Sequence, residues 1–205
     1  MNIFSVSSSP AESAQALDDK RLNKMILESC QMLSTAYRYW YADIPLYEET
    51  DPVGKVHKIK NIFSDEDVFF AFESKANKYV LKTSSFYKSC FENHPCTLWA
   101  KESLEHYSWL VFLVKAYFHE REFRQDISPE NHASYPYLLK LSSIAYREFS
   151  VPSYFPNCSL YKNTEDVHEA YRQTLRDKWY QDKREPLWTR RGSPEWAKDV
   201  LTQRA

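Results

Sequence analysis

Glycine is scarce in this chain, whose 205 residues contain only Gly54 and Gly192. A backbone loop that cradles a phosphate needs several closely spaced glycines, because side chains would block the approach. The sequence therefore excludes a P-loop and a dinucleotide-binding fingerprint, and we expect no cofactor. Hydrophobic residues make up 43% and charged residues 27%, which suffices for one buried core. We expect a single domain over residues 1–205.

The chain shows no sign of a membrane or export segment. It has no apolar run of about 18 residues, and its opening residues lack the basic and apolar regions of a signal peptide. We therefore expect a cytoplasmic protein that makes no membrane contact. The cysteines are far apart and form no C-x-x-C pair, so reduced packing thiols and no metal site are expected. They are Cys30, Cys90, Cys96 and Cys158.

Helical periodicity dominates the sequence, and the predicted fold is all-α: a single compact multi-helix domain with long loops. The turn Ser7-Ser8-Ser9-Pro10 predicts the start of a helix that runs to about residue 40. Polar caps and apolar arcs predict the other helices and the intervening loops. The helices are expected over residues 11–40, 64–82, 96–124, 137–149 and 165–183, and a loop over residues 42–61.

Asp19 breaks the pattern of the first predicted helix. In a continuous helix it projects near Ile26 and Cys30, on the apolar side, where an acid needs a partner. Two explanations stay open. Either the helix restarts with Asp18 or Asp19 as its cap, or Asp19 is a buried, functional carboxylate.

The opposite face of this helix carries a charged stripe that includes Lys20, Arg21, Lys24 and Glu28. Such a face can bind phosphate with its cations while a carboxylate works beside them. A solvated surface with a single Lys24–Glu28 ion pair is the alternative.

Asn93-His94-Pro95 predicts the start of another helix, because a polar cap precedes proline at the first helical position. The free backbone N–H groups there favour an anion. We therefore interpret Asn93 and His94 as DNA-binding candidates, together with Trp99 one turn further on.

Residues 172–191 form a third candidate site, in which basic residues outnumber acids and alternate with aromatic rings. This combination suits backbone contact and base stacking, and Arg190 and Arg191 are its strongest DNA-binding candidates. A solvated helix end is the alternative.

Two stretches carry a family resemblance: Met1 to Val6, and Asn93 to Trp99 leading into a long helix. They resemble the opening and the Asn-His-Pro helix of pyrimidine-dimer DNA glycosylases of the endonuclease V type. Four shorter segments are similar to a phage-related branch, and the resemblance covers about the first 125 residues. These segments are Asp19-Lys20, Lys24 to Glu28, Leu33 to Ala36 and His94 to Trp99.

The resemblance implies a compact helical enzyme that cleaves the base–sugar bond with a terminal amine and a glutamate of the first helix. The catalytic candidates are then Met1, Asp19 and Glu28. N-glycosidic cleavage passes through a cationic sugar that a carboxylate can stabilise. The implied partner is double-stranded DNA with a flipped base, and Trp99 or Tyr107 would serve as wedge or stacking ring. The base, a pyrimidine photoproduct or a modified cytosine, and a following lyase step stay open.

Two rival functions stay open at this stage. One is a nucleotide- or base-modifying transferase of phage DNA metabolism, which would use the same carboxylate and basic stripe. The other is a non-catalytic inhibitor that binds a protein through exposed aromatic residues. The sequence does not define the oligomeric state.

Overall fold

The computed structural model describes residues 2–40, 47–50, 56–61, 68–73, 79–82 and 86–204. Its helices are α1 (Pro10–Ala16), α2 (Asp19–Trp40), α3 (Pro95–Glu102), α4 (Leu104–Gln125), α5 (Tyr135–Leu141), α6 (Val167–Gln181) and α7 (Lys198–Arg204). Short 3₁₀ turns occur at Pro129–Asn131, Ser142–Ile144 and Glu195–Ala197.

The predicted helical fold is confirmed in the body that holds the core. α1 and α2 both pack on α4, and α3 lies against α2 and α4. Large side chains such as Tyr37, Trp99, Trp109 and Trp179 are fully or almost fully buried. The core therefore lies between helices and contains many of the aromatic residues.

The helix expected over residues 11–40 is two helices, because the backbone becomes extended at Leu17. Asp18 starts the second one: its carbonyl accepts from Leu22 N and its carboxylate from Arg21 N at 3.4 Å. The first of the two explanations for Asp19 is thus confirmed, since the helix restarts here. The helix expected over residues 96–124 is likewise interrupted at Ser103, which caps α4 by accepting from His106 N.

Arg124 holds the α1–α2 junction against α4. Its guanidinium is completely buried and donates to the carbonyls of Gln15 and Leu17 at 2.9 and 2.8 Å. It also forms ion pairs with Asp19 at 3.0 Å and Glu120 at 2.7 Å. One side chain therefore satisfies two carbonyls at the end of α1, one acid of α2 and one acid of its own helix α4.

Residues 47–82 differ from expectation, because they contain a four-stranded antiparallel sheet in the order β1-β2-β3-β4. The helix predicted over residues 64–82 is wrong, and the loop predicted over residues 42–61 contains two strands. The capping pattern at Ser64 is a local signal, whereas Val68–Glu73 is rich in aromatic and β-branched residues that favour strands. The strands are β1 (Tyr47–Thr50), β2 (Val56–Asn61), β3 (Val68–Glu73) and β4 (Tyr79–Lys82).

Adjacent strands of this sheet follow each other along the chain. Tyr47 pairs with Ile59, Lys58 with Ala71, and Phe70 with Lys82. Each strand therefore pairs with its sequence neighbour, the simplest antiparallel arrangement.

The C-terminal helices follow the predictions more closely. α6 confirms the helix expected over residues 165–183, with Asp166 as its cap. The helix expected over residues 137–149 is shorter, since α5 ends at Leu141 and is followed by a 3₁₀ turn. Within the described residues, no helix combines the length and apolar character needed to cross a bilayer.

We predict that Asp19→Asn lowers the free energy of unfolding by about 1–3 kcal/mol, because the buried Arg124 loses a charged partner. Arg124→Ala should cost more, about 3–5 kcal/mol, since it leaves Asp19 and Glu120 without their shared cation. Urea unfolding measures both changes, with the exposed Arg147→Ala as control. Wild-type stability of Asp19→Asn would contradict the structural role of Asp19.

Candidate functional site

The N-terminal segment, residues 2–6, is buried rather than free. Asn2 organises its start: its side-chain oxygen accepts from the backbone N–H groups of Ile3 and Phe4 at 2.8 and 3.0 Å. Its side-chain amide donates to the carbonyl of Cys158 at 3.1 Å. The beginning of the chain is therefore fixed to a loop more than 150 residues away in sequence.

Helices α4 and α6 hold the same segment from two sides. The Tyr117 hydroxyl of α4 donates to the Ile3 carbonyl at 3.2 Å. From α6, Arg172 donates to the Val6 carbonyl at 3.1 Å, and His168 Nδ1 lies 2.5 Å from the Ser5 carbonyl oxygen. Because these carbonyls are satisfied by buried or half-buried side chains, the segment keeps one position.

Glu28 lies on α2, half-buried, with Lys24 at 3.2 Å. Its charge reaches two residues of other helices. Burial raises the pKa of Tyr117, and electrostatic interaction with Cys96 and Glu28 raises it further. Glu28 therefore lies within electrostatic range of the hydroxyl that holds the N-terminal segment.

His94 caps α3, with Nδ1 accepting from the backbone N–H of Cys96 at 3.2 Å. Burial is the main cause that lowers its pKa, and the positive charges of the amino terminus and Lys162 lower it further, against the opposing effect of Glu28. His94 is thus neutral at physiological pH. It lies within electrostatic range of Glu28, Lys162 and the amino terminus.

Sequence reasoning missed three residues at this site: Asn2, Tyr117 and Cys158. Cys158 Sγ lies 3.2 Å from Cys96 Sγ, although 62 residues separate the two cysteines. All four cysteines are free thiols, as expected, but the sequence did not indicate that these two are neighbours. No local motif signals a pairing over this sequence distance; the Asn-His-Pro motif alone pointed to the neighbourhood.

Asp19 and Glu28, the two carboxylates considered for catalysis, are in different environments. Asp19 forms the ion pair with Arg124 and accepts from the backbone N–H and the hydroxyl of Thr189, the latter at 2.7 Å. Both of its oxygens hold the C-terminal tail and α4 in place. Glu28 instead interacts electrostatically with Tyr117, the residue that holds the Ile3 carbonyl.

The cations of the charged stripe also differ. The side chains of Lys20 and Lys24 are 75% and 66% exposed, so both can reach a phosphate. Arg21 is half-buried and pairs with Asp18 at 2.9 Å and Asp182 at 2.8 Å. Arg21 therefore joins α2 to the end of α6.

The candidates in the C-terminal tail are partly engaged as well. Arg191 forms a two-pronged ion pair with Glu120, including Nη2 to Oε2 at 2.8 Å, and covers the ring of Phe123. Arg190 is exposed, and its guanidinium donates to the Phe123 carbonyl at 3.3 Å. Both residues anchor the tail on the end of α4.

The aromatic candidates lie in the core. Trp99 is 2% exposed and donates to the Tyr154 carbonyl, and Tyr107 is fully buried and donates to the Leu141 carbonyl. In these positions neither ring can stack on a base. Asn93 is exposed beside His94, and Met1 lies outside the described residues.

Comparison with known proteins gives one family. The model of the pyrimidine dimer DNA glycosylase family matches residues 1–126, more than half of the 205 residues. No curated protein and no solved structure shows significant similarity to the chain. The matched region ends at Asp126, the left-handed residue that terminates α4. It includes the N-terminal segment, Glu28 and His94, and the chain belongs to the pyrimidine dimer DNA glycosylase family.

Proposed function

We propose that this protein is a DNA glycosylase that excises a damaged or modified pyrimidine with Glu28 and the terminal amine of Met1 as its catalytic groups. The observation that carries the proposal is the convergence of a buried N-terminal segment with Glu28. The Ile3 carbonyl accepts a hydrogen bond from the Tyr117 hydroxyl, which interacts electrostatically with Glu28. Asn2 is fixed in place by its own hydrogen bonds.

In the proposed reaction, the lone pair of the neutral amine forms a bond to sugar C1′ while the C1′–N bond to the base breaks. The electron pair of that bond leaves with the base, which takes up a proton. The Glu28 carboxylate stabilises the positive charge that develops on the sugar. Glu28 suits this role better than Asp19, whose oxygens are engaged by Arg124 and Thr189.

A double-stranded substrate requires a side chain that replaces the flipped base, and we propose Phe91 for this role. Phe91 is 54% exposed and has a positive φ of 55°, a strained conformation for an aromatic residue. The carbonyl of Phe91 accepts from His94 N at 2.9 Å. The backbone of Cys90, the residue before Phe91, forms hydrogen bonds with the Thr35 hydroxyl. Thr35 lies two helical turns, or about 10 Å, beyond Glu28 on α2.

We predict that Glu28→Gln lowers single-turnover base release by about 10²–10⁴-fold without loss of folding or DNA affinity, because the charge is removed and the shape is kept. The assay uses irradiated and modified-cytosine duplexes. Glu122→Gln, an exposed acid on α4, is the matched control and should release base normally. Normal release by Glu28→Gln would refute the assignment.

The amine is tested in the same assay by borohydride trapping. A covalent protein–DNA complex is expected with the wild type, because the amine adduct can release the ring oxygen O4′ from C1′ to give an iminium. Hydride from borohydride then reduces the C1′=N bond to a stable amine. Acetylation of the amino terminus should abolish it. Trapping that survives acetylation would place the nucleophile on another residue.

We predict that DNA binding weakens steeply with salt, and that Lys20→Ala combined with Lys24→Ala lowers affinity for all sequences alike. Each lost phosphate contact should reduce the slope of log affinity against log salt by about 0.9. Lys198→Ala, in the C-terminal region, is the control. An affinity independent of salt and of both substitutions would contradict DNA binding by this face.

We predict that Phe91→Ala slows base release from fully paired duplexes by about tenfold, since the flipped state loses its replacement partner. Mismatched duplexes should recover most of the rate, because their target base unstacks more easily. Phe149→Ala, which removes another exposed phenylalanine in the C-terminal region, is the control. Equal losses on paired and mismatched DNA would show that Phe91 does not act as a wedge.

A further inference from the structure

The described cysteines are unequal in their surroundings. Cys30 is fully buried, and burial raises its pKa to about 12. Burial also raises the pKa of Cys90, whose carbonyl and N–H are bonded to Thr35. Cys96 and Cys158 lie with their sulfur atoms 3.2 Å apart. This distance is shorter than an ordinary contact between two sulfur atoms and about 1 Å longer than a disulfide bond.

The two thiols of this pair differ in acidity. Cys158 is half-buried, and a hydrogen bond from Cys96 is the largest cause that lowers its pKa to about 7, with the charge of Lys162 and a bond from Tyr171 also contributing. The pKa of Cys96 is raised by the same hydrogen bond and by burial. The negative charge therefore resides on Cys158, the more accessible sulfur.

His94 makes a three-residue group with these cysteines, whose ligand atoms all lie within 4.8 Å of one another. A metal site fits the geometry less well. Nδ1 of His94 accepts from Cys96 N, which places the imidazole proton on Nε2 and leaves no free lone pair. Two thiolates on a tetrahedral zinc would also stand about 3.8 Å apart, given Zn–S distances of about 2.3 Å. The observed spacing favours a bond between the sulfurs.

We propose that Cys96 and Cys158 are an oxidisable pair, at which hydrogen peroxide or a similar two-electron oxidant forms a disulfide. The Cys158 thiolate attacks one peroxide oxygen, the O–O bond breaks, and hydroxide leaves, which gives a sulfenic acid. The sulfur of Cys96 then attacks the Cys158 sulfur, the S–O bond breaks, and hydroxide leaves with the Cys96 proton as water. Two thiols lose two electrons, and one peroxide is reduced to two waters.

The bond would connect the two parts of the chain at the N-terminal segment. Cys96 lies in the first turn of α3, within the family match, and Cys158 lies outside it. The Cys158 carbonyl accepts from Asn2, and the Ile3 backbone hydrogen bonds to the Cys96 sulfur. Oxidation therefore removes a negative charge beside the segment that carries the terminal amine. Thiol oxidation stands independently, whereas any effect on base release rests on the proposed function.

The test treats the full chain with hydrogen peroxide and follows free thiols and intact mass. We expect the free thiols to fall from four to two, with a loss of two hydrogen atoms and a peptide that joins Cys96 to Cys158. Cys30→Ser with Cys90→Ser is the matched control and should form the same bond. Cys96→Ser should stop at a sulfenic acid on Cys158, which dimedone traps, and Cys158→Ser should form no bond.

Two further measurements keep the result decisive. In the wild-type protein, the rate of Cys158 alkylation should rise with pH and reach its midpoint near pH 7. This measurement does not depend on the folding of a variant. Cys96→Ala replaces Cys96→Ser if the buried hydroxyl unfolds the chain. A disulfide that maps to other cysteines, or no disulfide while Cys158 is oxidised, would overturn the proposal. Protection of both thiols by one equivalent of zinc would overturn it in favour of a metal site.

Discussion

The structure depends on one buried cation, the guanidinium of Arg124. It binds carbonyls at the end of α1 and two acids, Asp19 and Glu120, and these acids in turn hold Thr189 and Arg191 of the tail. A buried charge is stable only when its hydrogen bonds are complete, so the chain must arrange all of these groups together. The position of α2, and with it the position of Glu28, follows from this network.

The second constraint is the buried amino-terminal segment. Chain termini commonly lie at the surface and fray, but residues 2–6 are enclosed and bonded to α4 and α6. Such burial costs conformational freedom and agrees with the proposed function, in which the terminal amine needs a fixed position. The residues that hold the segment come from both sides of the family boundary, since Tyr117 lies inside residues 1–126 and Arg172 and Cys158 lie beyond it. The C-terminal region therefore completes the site that the family portion begins.

Charge at this site is shaped by burial and by hydrogen bonding. Burial keeps His94 neutral, Glu28 is half-buried next to Lys24, and the hydrogen bond from Cys96 lowers the pKa of the Cys158 thiol against the effect of burial. Each group alone is ordinary, but a partly dry environment strengthens their mutual effects. The proposed amine chemistry and the proposed thiol oxidation use the same low-dielectric neighbourhood for different reactive atoms.

The sequence by itself determined the helical class, the absence of glycine-rich phosphate loops and the start of α3 at His94-Pro95, because these depend on residues close together in the chain. It also identified Asp19 as an acid that needs a partner. The tertiary structure alone decided that this partner is Arg124, that Glu28 acts electrostatically on Tyr117, and that Cys96 meets Cys158. The same holds for residues 64–82, where pairing between strands overrode a local capping signal. Long-range contacts satisfy buried charges and strand edges, and no pattern within a few residues specifies which distant group will do so.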